Sequence, residues 1–303
     1  MRVIVLTILS GILALCAAGS PRFEPSPAKC RLPVELIRTH PAAPGQEFPP
    51  PPDDDRGYDV TSYDLDLNLD PVTRTITGQV DIGLKALDPG RMRVRLDLVA
   101  NMTCDGVLAG DLPLAFTHEG DSLVVEFSSP LSTAAPETVT VSWNGRPLPH
   151  GNFLSGLMFR THDSGTPDDP TDDVPVIATQ NQPWSAHSWW PCKDHPSDKA
   201  LVSLTATVPD GLRLISNGTL LAEDSPGPGL RRFFWREAYP IATYLVSVAA
   251  TNYSSWTEVC QPAGAGPTRL DFHVFPQDRA NAEIDLAPTC DMLALMTKLA
   301  GPY

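Results

Sequence analysis

The stretch ATQNQPWSAHSWWPCKDHPSDKA, residues 178–200, gathers two glutamines, two histidines, a cysteine, two aspartates and three tryptophans. Three kinds of chemistry are open to it. His187, Cys192 and His195 carry donor atoms for zinc, but they supply only three ligands, and Pro191 and Pro196 interrupt regular spacing. Cys192, His187 and Asp194 have the residue types of a nucleophile, a base and an orienting acid, yet neighbours on an extended chain rarely face one another. Following Trp189, Trp190 and Pro191, Cys192 reads better as a small buried hydrophobe. Gln180 and Gln182 stand two apart, so on a strand both amides project to one side. An amide accepts from an ammonium or N–H group and donates to a carbonyl; it neither shuttles protons nor attacks carbon. That is recognition chemistry, with a pair of solvent-facing edge residues as the plain alternative.

No other stretch offers a stronger centre. The helical zinc signature H-E-x-x-H needs two histidines one turn apart. The sequence has one His-Glu pair, His118-Glu119, without the second histidine, and the following Gly120-Asp121 predicts a hairpin turn.

The elements that must position these residues are strands. YDVTSYDLDLNLD alternates Tyr63, Leu65, Leu67 and Leu69 with Asp64, Asp66, Asn68 and Asp70, the pattern of a half-buried strand. TRTITGQVDIGLKAL repeats the alternation after an Asp70-Pro71 turn. Further short strands are expected at RMRVRLDL, DSLVVEFS, ETVTVSW, VPVIATQ, KALVSLTATV, LRRFFWRE, ATYLVSVAA and TRLDFHVF, separated by Pro, Gly and Asp. Many short strands without long helices between them predict an antiparallel sandwich or curved sheet. Only at the end does the period change: Met292, Leu293, Met296, Leu299 and Ala300 have helical spacing before Gly301-Pro302.

The chain has 303 residues and a formal net charge of −14. It shows no cluster of Lys and Arg, which argues against nucleic-acid binding. Residues 1–19 have a basic start at Arg2, an apolar run and small residues after it, the pattern of a cleaved secretory signal. That predicts a secreted or periplasmic protein with no membrane span after signal removal. Cys16 in LALC resembles a lipoprotein acceptor, although Leu15 stands where a small residue is expected. Residues 20–57, ending in FPPPPDDDRG, read as a Pro-rich linker. Without Cys16, five cysteines remain (Cys30, Cys104, Cys192, Cys260 and Cys290), and their pairing cannot be read from spacing.

Several spaced motifs resemble the aminopeptidase N family of zinc metallopeptidases (gluzincins). TQNQPWSAHSWWPCKDHPSDKA aligns without a gap with that family's TQ-x-[EQ]-P-x-x-A-R-x-x-[FW]-P-C-x-D-x-P-x-x-K-A segment, with His187 where Arg is usual and His195 where Glu is common. ISNGTL, FFWREAYPIATYLVSVAATNYS and LAGPY resemble later family segments in the same order. The resemblance implies an all-β, saddle-like antiparallel sandwich over 58–276, as in the family's N-terminal domain. Residues 277–303 would be a helical junction to a catalytic domain. It implies that Gln180 lines the pocket for a substrate's first side chain and that Gln182 helps bind the free amine of a peptide. Zinc is implied as the cofactor of the complete enzyme, not of this chain, because G-A-M-E-N and H-E-x-x-H do not occur in it. The resulting expectation is a non-catalytic, substrate-binding piece of an exported aminopeptidase. A stand-alone β-domain with a binding or scaffold role is the alternative, and a Cys192-dependent hydrolase a third.

Overall fold

The computed structural model describes residues 2–7, 57–148, 155–163, 172–262 and 266–301. In chain order the first strands are β1 (Arg2–Thr7), β2 (Tyr58–Asp70), β3 (Thr75–Ala86), β4 (Arg93–Asp97), β5 (Met102–Ala109) and β6 (Leu112–Pro113). Next come β7 (Ala115–Glu119), β8 (Ser122–Glu126), β9 (Glu137–Gly145), β10 (Gly156–His162), β11 (Val174–Gln180) and β12 (Lys199–Pro209). The last are β13 (Arg213–Ser216), β14 (Thr219–Asp224), β15 (Leu230–Ala242), β16 (Val248–Thr251), β17 (Ser254–Cys260) and β18 (Thr268–Val274). Two helices follow, α1 (Arg279–Leu286) and α2 (Thr289–Ala300).

The alternation seen in the sequence sets the first hairpin. Tyr63, Leu65, Leu67 and Leu69 are buried while Asp64, Asp66 and Asn68 are exposed. The Asp70 carboxylate accepts the backbone N–H groups of Val72 and Thr73, closing the turn into β3. The pair lies in an eight-stranded sheet ordered β14-β15-β12-β2-β3-β9-β5-β6. A four-stranded sheet, β10-β11-β16-β13, and two three-stranded sheets, β4-β8-β7 and β1-β18-β17, complete the β architecture. A single large core of buried Leu, Ile, Val and Trp side chains draws on the first three of these sheets. The fold is therefore predominantly β, sandwich-like, with a C-terminal helix.

Two contacts correct a purely antiparallel expectation: β2 with β12, and β1 with β18, are parallel. A tight turn enforces antiparallel pairing, whereas strands joined through a long stretch of chain are free to run the same way. The ATYLVSVAA stretch is not one strand. Thr243–Leu245 forms a short 3-10 turn, and β16 begins only at Val248. His118-Glu119 ends β7, and Gly120 at φ +56° turns the chain into β8, as the hairpin reading expects.

Part of the span read as a leader, Arg2–Thr7, is β1. Residues 8–19 with Cys16, and 20–56 with Cys30, lie outside the described residues. At the other end a small cluster of Cys260, Leu270 and Phe272 packs with Trp256, Leu286, Cys290 and Leu293. A Cys260–Cys290 disulfide, a pairing the sequence left open, ties α2 to β17. The rest of the apolar face of α2, Met292, Leu295, Met296 and Leu299, is more than half exposed. Among the described residues no helix is long and apolar enough to cross a membrane.

Candidate functional site

Strand β11 pairs with β10 along its whole length but with β16 only at Ile177 and Ala178. Beyond that point side chains take over the pairing. The Thr179 hydroxyl donates to the Val248 carbonyl at 3.2 Å and accepts the Val248 N–H at 2.9 Å. The Asn181 amide, 1% exposed, donates to the Val246 carbonyl at 2.7 Å and accepts the Trp189 indole N–H at 3.0 Å. Residues 179 and 181 are thus spent on the interior. Gln180 is the last residue of β11, whereas Gln182, expected on the same strand, lies beyond it in the turn that enters the cis Gln182–Pro183 bond, so the period of two does not extend to it.

Gln182 is exposed and Gln180 half-buried, and among the described residues neither amide side chain has a hydrogen-bond partner. Gly156 stands opposite Gln180 in the β10–β11 register at φ +111°, and a Cβ there would meet the Ser188 Oγ at 2.4 Å. Glycine is required at that crossing, because the Ser188 side chain occupies the space a Cβ would take.

The remaining polar residues of the segment hold it in place. The His187 Nδ1 lies 2.6 Å from an Asp194 carboxylate oxygen, whose other oxygen accepts the Thr243 hydroxyl at 2.8 Å. The Asp194 N–H donates to Asp97, and Asp97 and Cys192 exchange backbone hydrogen bonds across β4. Lys193 pairs with Asp198 at 2.7 Å, donates to the Tyr58 carbonyl, and its backbone N–H is held by the Tyr63 hydroxyl. Trp143 donates to the Trp189 carbonyl. Buried polar groups stay in an apolar setting only when paired in this way.

These contacts decide between the chemistries. Contrary to the expectation that neighbours rarely meet, His187 and Asp194 do face each other, because the 3-10 turn at Ala186–Ser188 folds the chain back. Burial pulls the imidazole down, but the Asp194 bond and charge, reinforced by Asp97 and Asp121, outweigh it and raise His187 above its ordinary value. Cys192 is fully buried, and burial together with Asp194 and Asp97 pushes its thiol well up, so it lacks the thiolate a nucleophile needs. His195 hydrogen-bonds Ser197 through the same Nδ1 that accepts the Ser197 N–H.

The donors of the 178–200 segment do not suit a catalytic zinc. Among the described residues His187, Cys192 and His195 do not bring their donor atoms together as a group of three. Elsewhere, Asp163, Asp172 and Asp173 bring carboxylates within 4.8 Å of one another, an all-oxygen set unlike the His-rich sites of catalytic zinc. Sequence reasoning passed over Asn181, although its place between two glutamines read as outward marked it as the inward residue. The remote anchors Asp97, Tyr63 and Thr243 left no local signal.

Three comparisons bear on this site. Residues 60–245 match the family described as the Peptidase M1 N-terminal domain. Aminopeptidase B of Rattus norvegicus is 23% identical over 283 residues, covering 82% of this chain and 38% of that protein. Aminopeptidase M1 of Arabidopsis thaliana is 29% identical over 194 residues, covering 61% of this chain and 21% of that protein. The M1 zinc metallopeptidase of Deinococcus radiodurans superposes with a TM-score of 0.70 at 20% identity, covering 82% of this chain and 54% of that one. The chain therefore spans well under two thirds of the length of each of these proteins.

Proposed function

The chain belongs to the M1 zinc-metallopeptidase family through its N-terminal domain, and on that premise we propose that it supplies the substrate-facing wall of an exported aminopeptidase. In this reading Gln180 and Gln182 meet the leading end of a peptide: Gln182 accepts from the free amine, and Gln180 borders the first side chain. The reading rests on two amides without hydrogen-bond partners, Gln180 at the end of β11 and the exposed Gln182 in the turn after it, flanking Asn181, which is locked to the interior. The ammonium of a peptide is a good partner for an amide oxygen, and a hydrogen bond to a charged group contributes about 1.5–3 kcal/mol. A formal charge of −14 also favours approach of a cationic terminus.

Hydrolysis belongs to groups other than those described. Zinc, the cofactor of the complete enzyme, is assigned to donors outside this set, since those present do not fit it. The half-exposed apolar face of α2 supports a role as a junction that another domain covers, rather than a stand-alone scaffold. The Cys192-dependent hydrolase is set aside because its thiol is buried and held protonated.

The reading is tested by assaying the purified 303-residue chain for release of N-terminal residues from peptides, with zinc content measured by elemental analysis. Neither activity nor stoichiometric zinc is expected. Zinc-dependent release of N-terminal residues by this chain would overturn the division of labour proposed.

A further inference from the structure

The ISNGTL motif turns from β13 into β14 at Asn217-Gly218. Gly218, at φ +79°, passes against the Arg236 carbonyl, which a Cβ would overlap, so glycine is what lets the turn close there. The half-buried Asn217 beside it reaches across to the chain that joins the 3-10 turn Thr243–Leu245 to β16. Its Nδ2 donates to the Leu245 carbonyl at 2.9 Å. Its Oδ1 accepts the Ser247 N–H at 2.7 Å and the Ser247 hydroxyl at 3.1 Å. The adjacent Ser216 hydroxyl donates to the Ser247 carbonyl at 2.8 Å.

Val246 and Ser247 belong to no strand, so side chains must hold their carbonyls. Val246 is extended, and in extended backbone successive carbonyls point to opposite sides. Those of Leu245 and Ser247 go to the β13–β14 turn, and the one between them, on Val246, goes to the Asn181 amide at 2.7 Å. Other contacts secure the ends of this bridge: Thr243 bonds Asp194, and Val248 bonds Thr179. Asn217 is the side chain that spans Val246 itself.

We infer that Asn217 is a positioning residue for the glutamine pair. By gripping Leu245 and Ser247 it fixes the Val246 carbonyl, which holds Asn181 between Gln180 and Gln182. The role it gives the site rests on the peptide-binding reading, but the clamp itself is measurable without any ligand. Asn217 acts through the bridge and needs no contact with substrate.

The test compares the full chain with three variants by NMR, first without ligand. Asn217→Ala removes all the side-chain bonds of residue 217. Asn217→Asp keeps the acceptor for Ser247 and loses the donor to Leu245. Asn144→Ala is the control: it removes an amide bonded to Asp105 on β5. The side-chain NH2 resonances of Gln180, Asn181 and Gln182 should shift in both Asn217 variants and stay in place in Asn144→Ala. A merely structural role would lower the urea midpoint without moving these native-state resonances. Should Asn217→Ala fail to fold, Asn217→Asp carries the comparison. With peptide present, an Asn217 variant that folds should lose affinity for the free peptide more than for its N-acetylated form. Resonances that stay in place in every folded Asn217 variant would overturn the inference. Resonances that move, in a parent chain that binds neither peptide, would uphold the clamp and reject the peptide reading instead.

Discussion

The indole N–H of Trp189 donates to the side-chain oxygen of Asn181 at 3.0 Å, so the residue between the two glutamines is turned inward by a buried tryptophan. The same amide reaches the Val246 carbonyl at 2.7 Å, which closes the gap where β11 and β16 cease to pair. Gln180, at the end of β11, and the exposed Gln182, in the turn after it, flank this inward anchor.

Asn181→Ala would leave a buried indole N–H and a buried carbonyl unsatisfied. At about 1–3 kcal/mol for each group, a loss of about 2–6 kcal/mol is expected in urea unfolding. Asn181→Asp, which keeps the acceptor for Trp189 but not the donor to Val246, should also destabilise. A variant as stable as the parent would show that the anchor is idle.

His187 and Asp194 make a pH-dependent contribution. Folding raises the His187 pKa above its unfolded value of 6.5, so the folded state holds the proton more tightly. The added stability is complete below about pH 6.5 and is lost as pH rises through the raised folded value. His187→Gln should therefore cost more stability at pH 5.5 than at pH 8.5, as read by denaturant midpoints at the two pH values. An equal cost at both would show that the imidazolium form does not contribute.

Met292 and Met296 on α2 are each 57% exposed. Replacing both with Lys should change folding stability by less than about 1 kcal/mol, because neither packs in this chain. The same change should reduce self-association, followed by sedimentation at rising concentration. Strong destabilisation would mean that this face is already covered.

Period-two burial made β2, β3 and β12 readable, because one face of each meets the core while the other meets water or a polar network. The α2 helix was readable for the matching reason, a 3.6-residue period. The parallel β2–β12 contact was not, since register between distant strands is set by the whole core and leaves no local pattern. Short strands such as β13 and β17 escaped notice: β13 is only four residues long, and β17 mixes exposed polar and apolar side chains. At the site, the i, i+2 argument assumed one continuous strand, whereas β11 ends at Gln180 and Gln182 lies in the turn before Pro183. The Asp97–Asp194 and Tyr63–Lys193 contacts join residues 97 and 130 positions apart and could only come from the fold.

The central claim is that Gln180 and Gln182 meet the leading end of a peptide, Gln182 accepting from its free amine and Gln180 bordering its first side chain. It is tested most directly by following their side-chain NH2 resonances while the chain is titrated with a short peptide and with its N-acetylated form. The free peptide should shift both resonances saturably, with the acetylated form at least about tenfold weaker, as loss of one charge-assisted hydrogen bond requires. Gln182→Ala should remove that preference. Resonances that do not move, or that respond equally to both peptides, would contradict the account.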